Sequence, residues 1–439
     1  MTTPRHNERP GYLARCLFAS LAPLEHDCIR LVDGCLTRTF GGADGELRAT
    51  VVVHNRRFYR RVLLEGGLGA AESWIDGDWT CDDLTTLVRI FIRNRSMIER
   101  LNSSRTWLPR LLAGARHLLR RNTRHGARQN IHEHYDLGND FFRLFLDETL
   151  SYSCGVFERP DASLQEASLA KLERVCRKLN LLPGDQLVEI GTGWGGLAIH
   201  AAGRYGCQVN TTTISDEQHS LATQRVREAK LSGRVNVLNH DYRDLEGQYD
   251  KLVSIEMIEA VGHNYFDTFF RRAAALLKPD GTMLLQAIVI KDQYFANHRN
   301  SVDFIRQHIF PGGCLPSVTA LCESMTRASD LRLVHLEEMS DHYARTLRHW
   351  RTRFWAEIAA VRELGYSERF IRKWEYYLRY CEAAFEERQV NVVQMLLAKP
   401  RCRLDPLTIA LPAVNAAHRR PRPAINWQPE VALYTENGG

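Results

Sequence analysis

The sequence predicts an α/β protein: a parallel, doubly wound sheet with a smaller α+β domain in front of it. Three observations carry this. Strand-like apolar runs alternate with helix-period segments between Leu187 and Ile290. The first of those runs feeds a glycine-rich turn, Gly191-Thr192-Gly193-Trp194-Gly195, which opens a helix. Far upstream the β-branched run LRATVVVHN stands apart, divided from the alternating stretch by an arginine-rich segment.

The elements follow in chain order. Arg5, Arg9 and Arg15 precede a short apolar run broken by Pro23. No small-residue cleavage site follows, so this reads as an N-terminal helix of a cytoplasmic protein rather than an export signal. LRATVVVHN reads as a strand and Phe58 to Leu64 as another, with Gly41 to Gly45 marking a turn. A helix begins at Leu68, and Leu84 to Ile92 has helical spacing. In the second half, Leu187 to Ile190, Gln208 to Ile214, Val235 to Leu238, Lys251 to Ile255 and Thr282 to Ile290 read as strands. Leu197 to Ala202, Ser220 to Leu231 and Phe266 to Leu277 read as the helices between them, and that βαβαβ order implies a parallel sheet. Two long helices are expected at Tyr343 to Leu364 and Glu368 to Phe385, then an irregular proline-rich tail. The expected domains are 1–104 (α+β, lipid-binding-like), 105–130 (basic linker helix), 131–399 (catalytic) and 400–439 (tail).

Composition narrows the class. With 44% hydrophobic and 25% charged residues in 439, the chain is an ordinary globular one of about two domains. No stretch reaches the roughly 20 apolar residues of a membrane helix. The 11 cysteines show neither CxxC pairs nor a Cys/His zinc spacing, so no metal is expected and the thiols read as reduced. The net charge of +6 is unevenly placed: seven arginines lie from Arg105 to Arg128 with no acidic residue among them, interleaved with leucines. That pattern suits a solvated linker or an amphipathic helix on an anionic lipid surface. No aromatic platform accompanies it, which argues against nucleic acid.

The run QLVEIGTGWGGLAIHAA is a strand, a turn and a helix. Gly191 and Gly193 lack a Cβ, so a ligand can sit against the main chain at a helix N-terminus. The form E-x-G-x-G-x-G, with Glu189 inside the strand, differs from a dinucleotide fingerprint. It resembles motif I of class I S-adenosylmethionine (SAM) methyltransferases. The next strand ends in Thr213, with Gln218 four residues after Ile214, and the third leads to Tyr242 beside Asp241.

IHEHYDLGNDFF, LSYSCGVF, VEIGTGWGG, TTTISDEQ, SIEMIEAVG, FIRQHIFPGGCLPS and DHYARTLRHWRTRFW occur in that order. Together they resemble the cyclopropane-fatty-acyl-phospholipid synthases and the related mycolic acid cyclopropane synthases, from about Ile131 to Pro400. GLGAAESWIDGDW resembles the N-terminal domain of the phospholipid-acting members. The resemblance implies SAM as cofactor, contacted by Tyr152, Ser153, Glu189, Gly191, Gly193, Thr213, Gln218 and Tyr242. It also implies a bicarbonate ion held by Cys154, Glu259, Tyr343, the backbone of Ile288, and Gln286 where the family has histidine. Glutamine can donate a hydrogen bond but carries no proton charge near neutral pH.

The implied chemistry is methyl transfer to the double bond of an acyl chain in a membrane phospholipid. An alkene is a weak nucleophile and needs an electrophile as strong as a sulfonium methyl. The resulting carbocation on the acyl chain closes a cyclopropane ring if the new methyl loses a proton, and becomes a methylene branch if the proton is lost elsewhere. Later reduction would give a methyl branch and would need a reductase partner. The expected setting is the inner face of the membrane, with the protein peripheral; a homodimer is left open. Small-molecule N-methylation and lipid binding without catalysis are the competing functions.

Overall fold

The computed structural model describes residues 10–42, 45–94 and 137–403, which form one compact body. The arginine-rich segment and almost all of the proline-rich tail lie outside the described residues. Two sheets organise it. The N-terminal sheet has the order β2-β1-β3-β4 and comprises Cys28–Asp33 (β1), Leu36–Gly41 (β2), Arg48–Val53 (β3) and Trp79–Cys81 (β4). In β3 the period-two pattern sends Ala49, Val51 and Val53 into the core. The helix Tyr12–Leu21 precedes the sheet.

Phe58 to Leu64, expected as a strand, is instead part of the helix Arg57–Glu65. Its buried residues are Phe58, Tyr59 and Val62, which share one helical face, while Arg57 and Arg60 are exposed. Bulky residues mimicked a strand, but the burial follows a helical period. Gly66, at φ +59°, ends this helix, and Gly67–Ile75 folds back against it. The crossing is tight at Gly69, where a Cβ would stand 2.2 Å from the Arg61 carbonyl oxygen.

The second sheet has seven strands in the order β10-β11-β9-β8-β5-β6-β7. They are Gln186–Ile190 (β5), Gln208–Thr212 (β6), Val235–Leu238 (β7), Tyr249–Ile255 (β8), Leu277–Ile290 (β9), Arg332–Glu338 (β10) and Val390–Ala398 (β11). Strands β5 to β9 pair in parallel, as the alternating pattern predicts. The sheet is not wholly parallel, however: β11 runs antiparallel to both β9 and β10. The last helix, Glu368–Glu386, delivers β11 between two strands already formed. Its apolar run lacks any local cue to direction. The other long helix is broken at Glu357 into Ser340–Ala356 and Ile358–Glu363.

These late helices bridge the two sheets. Trp74 donates from its indole to the Arg372 carbonyl (3.1 Å), and the Arg372 guanidinium donates to the Trp74 and Trp79 carbonyls (2.7 and 3.0 Å). Arg89 and Arg93 reach Glu387 at 2.7 and 2.9 Å. On the other side Phe141, Phe142 and Phe145, all fully buried, pack on Trp374. The Arg372→Ala protein is expected to lose about 2 kcal/mol, read as a lower urea midpoint. An unchanged midpoint would mean that apolar packing alone holds the N-terminal unit.

Candidate active site

A cavity of about 1240 Å³ opens at the carboxyl ends of β5 and β8, where the chain winds outward in both directions. One end is built by the glycine turn. Gly191 and Gly193 hold φ +103° and +52°, and a Cβ at Gly193 would meet only open space. Main chain therefore faces the cavity there, as a ligand against the backbone requires. Glu189 accepts from the Thr211 hydroxyl at 2.6 Å, and burial pushes its carboxyl up to about 8. At the end of β6, the Thr213 hydroxyl donates to Gln218 Oε1 (2.8 Å), which fixes the amide at the cavity edge. Tyr242 stands edge-on to Phe269 at 5.7 Å on the same wall. Tyr152 and Ser153 close this end. The Tyr152 hydroxyl meets that of Tyr377 at 2.8 Å, and Ser153 accepts from the buried Lys171 ammonium at 3.1 Å.

Deeper in lie two carboxylates. Glu259 accepts from the Ile288 N–H at 2.5 Å through one oxygen. Its other oxygen has no hydrogen-bond partner among the described residues. Burial, and secondly the charge of Glu256, push the Glu259 carboxyl up to about 8, so it is largely protonated at neutral pH. Glu256 is differently placed. Its Oε1 accepts from the Cys154 N–H (3.0 Å) and the Gln286 amide (2.7 Å), and its Oε2 from the Tyr343 hydroxyl (2.6 Å). Burial raises its pKa, opposed by those three donors, which favour the charged form.

The Gln286 amide has no freedom to turn. Gln394 donates to its carbonyl oxygen (2.9 Å), and Lys178, a donor only, fixes Gln394 in turn (2.8 Å). Lys178 is anchored on Glu337, itself paired with Arg174. A buried chain of polar groups thus runs from β10 to Glu256. The backbone of Glu256 has φ +49°, a left-handed conformation costing an L side chain about 1–2 kcal/mol. Three hydrogen bonds to a charged acceptor outweigh that cost.

The expected residues therefore assemble at one place, with two differences. Cys154 and Gln286 lie behind the cavity wall, fully buried, and the Cys154 thiol donates to the Gly155 carbonyl at 3.2 Å. Moreover, the donors expected to surround a bicarbonate ion are already taken: Tyr343, Gln286 and the Cys154 amide by Glu256, and Ile288 by Glu259. Sequence reasoning missed Glu256. The signal was there, since SIEMIEAVG carries two glutamates and Glu256 directly follows the fourth strand of the parallel set. Lys171 and the Lys178–Gln394 pair carried no local signal.

Residues 122–395 match the family model described as mycolic acid cyclopropane synthetase. The chain belongs to that family. It is 37% identical to the tuberculostearic acid methyltransferase of Mycobacterium tuberculosis over 85% of this chain and 88% of the relative. It is also 37% identical to the cyclopropane-fatty-acyl-phospholipid synthase of Escherichia coli, over 84% and 93%. Among solved structures, a mycolic acid cyclopropane synthase in complex with SAH and CTAB superposes with a TM-score of 0.58 at 34% identity, covering 62% of this chain and 98% of that one. This synthetase-family chain is accordingly a SAM-dependent methyltransferase with the class I fold.

The sign of the Glu259 effect on stability follows from its raised pKa. Folding favours the protonated form, so its contribution is intact near pH 4.5 and is lost as pH rises through about 8. Glu259→Gln should melt close to wild type at pH 5 and above it at pH 8.5. Parallel melting curves across that range would place the Glu259 pKa near its ordinary value.

Proposed function

We propose that the chain transfers a methyl(ene) carbon from SAM to the double bond of an unsaturated fatty-acyl chain in a membrane phospholipid, forming a cyclopropane fatty acid. The observation that carries this is the continuity of the cavity. Its glycine end grades into an apolar channel lined by Leu64, Leu68 and Ile92 of the N-terminal unit and by Tyr377, Ala384 and Phe385 of the last long helix. A small polar amine would not need that length of apolar wall, which suits an acyl chain entering between the two sheets.

When bound, SAM supplies an electrophilic sulfonium methyl. Gly191, Gly193, Thr213, Gln218 and Tyr242 would hold it, with Glu189 beneath and Tyr152 and Ser153 beside it. The aromatic walls would exclude water from a carbocation on the acyl chain that water would otherwise quench. Bicarbonate does not fit this site: its donors are engaged, and the charged Glu256 carboxylate would repel a second anion. Tyr343 and the Cys154 thiol are kept protonated, because burial pushes both groups well above their ordinary values.

The second reading is methylene or methyl branching of the same chain. It is favoured by the equal identity to a relative named as a methyltransferase and by Gln286. A reductase would be needed only for the methyl branch. No helix among the described residues is long and apolar enough to cross a membrane. The arginines from Arg105 to Arg128 support docking on an anionic inner membrane face.

Expression in a bacterium rich in monounsaturated phospholipid but lacking its own synthase, fed methionine with a CD3 group, tests both readings. A product resistant to hydrogenation and keeping two deuteriums is expected for the ring. A hydrogenation-sensitive product keeping two would mean a methylene branch, and one keeping all three a methyl branch. No label in lipid would send the search to small amines. In the same assay Leu68→Trp should cut lipid turnover at least tenfold while SAH affinity stays unchanged; equal turnover would place the acyl chain elsewhere.

A further inference from the structure

The hydrogen-bonding around Glu256 is that of an anion site already filled. Its carboxylate accepts an amide N–H, a side-chain amide and a phenol, one from each of three separate elements. The phenol is a donor because Tyr343 stays protonated, and the Gln286 NH₂ is a donor because Gln394 occupies its oxygen. The carboxylate still lines the cavity. Among the described residues three of its four lone-pair positions are used, so Oε2 keeps one acceptor position.

We propose that Glu256 is the base of the reaction, a carboxylate built into the chain at the position where the resemblance led us to expect a bicarbonate ion. This rests on the functional reading above. In the first step the alkene pair forms a C–C bond to the methyl carbon as the C–S bond breaks, leaving SAH and a cation on the acyl chain. In the second, a C–H bond of the transferred methyl breaks, directly for the ring, or for a methylene branch after a hydride shift has moved the cation to the methyl-bearing carbon. Its electron pair forms the ring bond or the new double bond, and its proton goes to Glu256 Oε2, then to water.

The neighbouring groups are unsuited to this. Glu259 is largely protonated near neutral pH, the Cys154 thiol points to a carbonyl, and Tyr343 already donates to Glu256. Glu259 is left as a neutral partner beside a charged one, two carboxyl groups driven apart by their surroundings. Gln286 then has a defined role as a positioning residue: it holds Glu256 by a neutral donor that cannot surrender a proton.

The test uses the full chain with SAM and vesicles of monounsaturated phospholipid in carbonate-free buffer, reading labelled lipid. Wild-type turnover is expected to be the same with and without added bicarbonate. Glu256→Gln should bind SAH as wild type does and turn over at least about 100-fold more slowly. Glu256→Gly, which empties the site, should be inactive alone and regain turnover with formate or bicarbonate in a saturable manner. A wild-type rate that climbs saturably from near zero with bicarbonate would overturn the proposal without any variant. So would a Glu256→Gln or an unsupplemented Glu256→Gly enzyme at the wild-type rate. If wild type labels no lipid under any condition while still binding SAH, the lipid reading itself fails and this inference falls with it.

Discussion

The half-buried charge of Glu256 is the constraint around which the catalytic unit is arranged. A carboxylate taken out of water is tolerable only if donors replace its hydration. Here the donors come from the loop at Cys154, from β9 at Gln286 and from the helix that carries Tyr343. Each of those elements is thereby fixed relative to the end of β8. The left-handed backbone at Glu256 belongs to the same arrangement, since it turns the side chain off the strand at the sheet's carboxyl edge. Strain of this kind persists where surrounding contacts over-determine it.

Behind the carboxylate, two neutral amides connect it to a buried ion pair. Glu337, Lys178, Gln394 and Gln286 each satisfy the next, so neither the Gln394 nor the Gln286 amide is left to choose its own orientation. This places β10 and β11 in the function of the site, although β11 lines the cavity only through Val390. The antiparallel β11 puts Gln394 opposite Gln286 in register. A one-residue slip would turn that amide to the other face of the sheet.

The N-terminal unit contributes on a different scale. Its aromatic and arginine contacts with the Glu368–Glu386 helix, including Trp74 with Tyr376 at 6.4 Å, seat Leu64 and Leu68 in the cavity wall. The reactive end is thus polar and rigid, and the far end apolar and formed by two units. The histidine at position 308 and Glu72, 3.2 Å apart, add one more tie across the same boundary.

Local chemistry was enough to read the parallel strands, the glycine turn and the ordered motifs, because strand period, turn residues and helix starts are encoded within a few positions of one another. It failed at Phe58 to Leu64, where bulky side chains suit either period, and at β10 and β11, whose pairing depends on distant partners. The residue types of the site were legible, and so was their gathering, through resemblance. The identity of the anion they hold was not. Glu256 meets Gln286, Tyr343 and Cys154 across 30, 87 and 102 positions of chain. Only the assembled sheet and its covering helix bring those donors onto one carboxylate, and hydrogen bonds between such distant residues leave no periodic trace in the sequence.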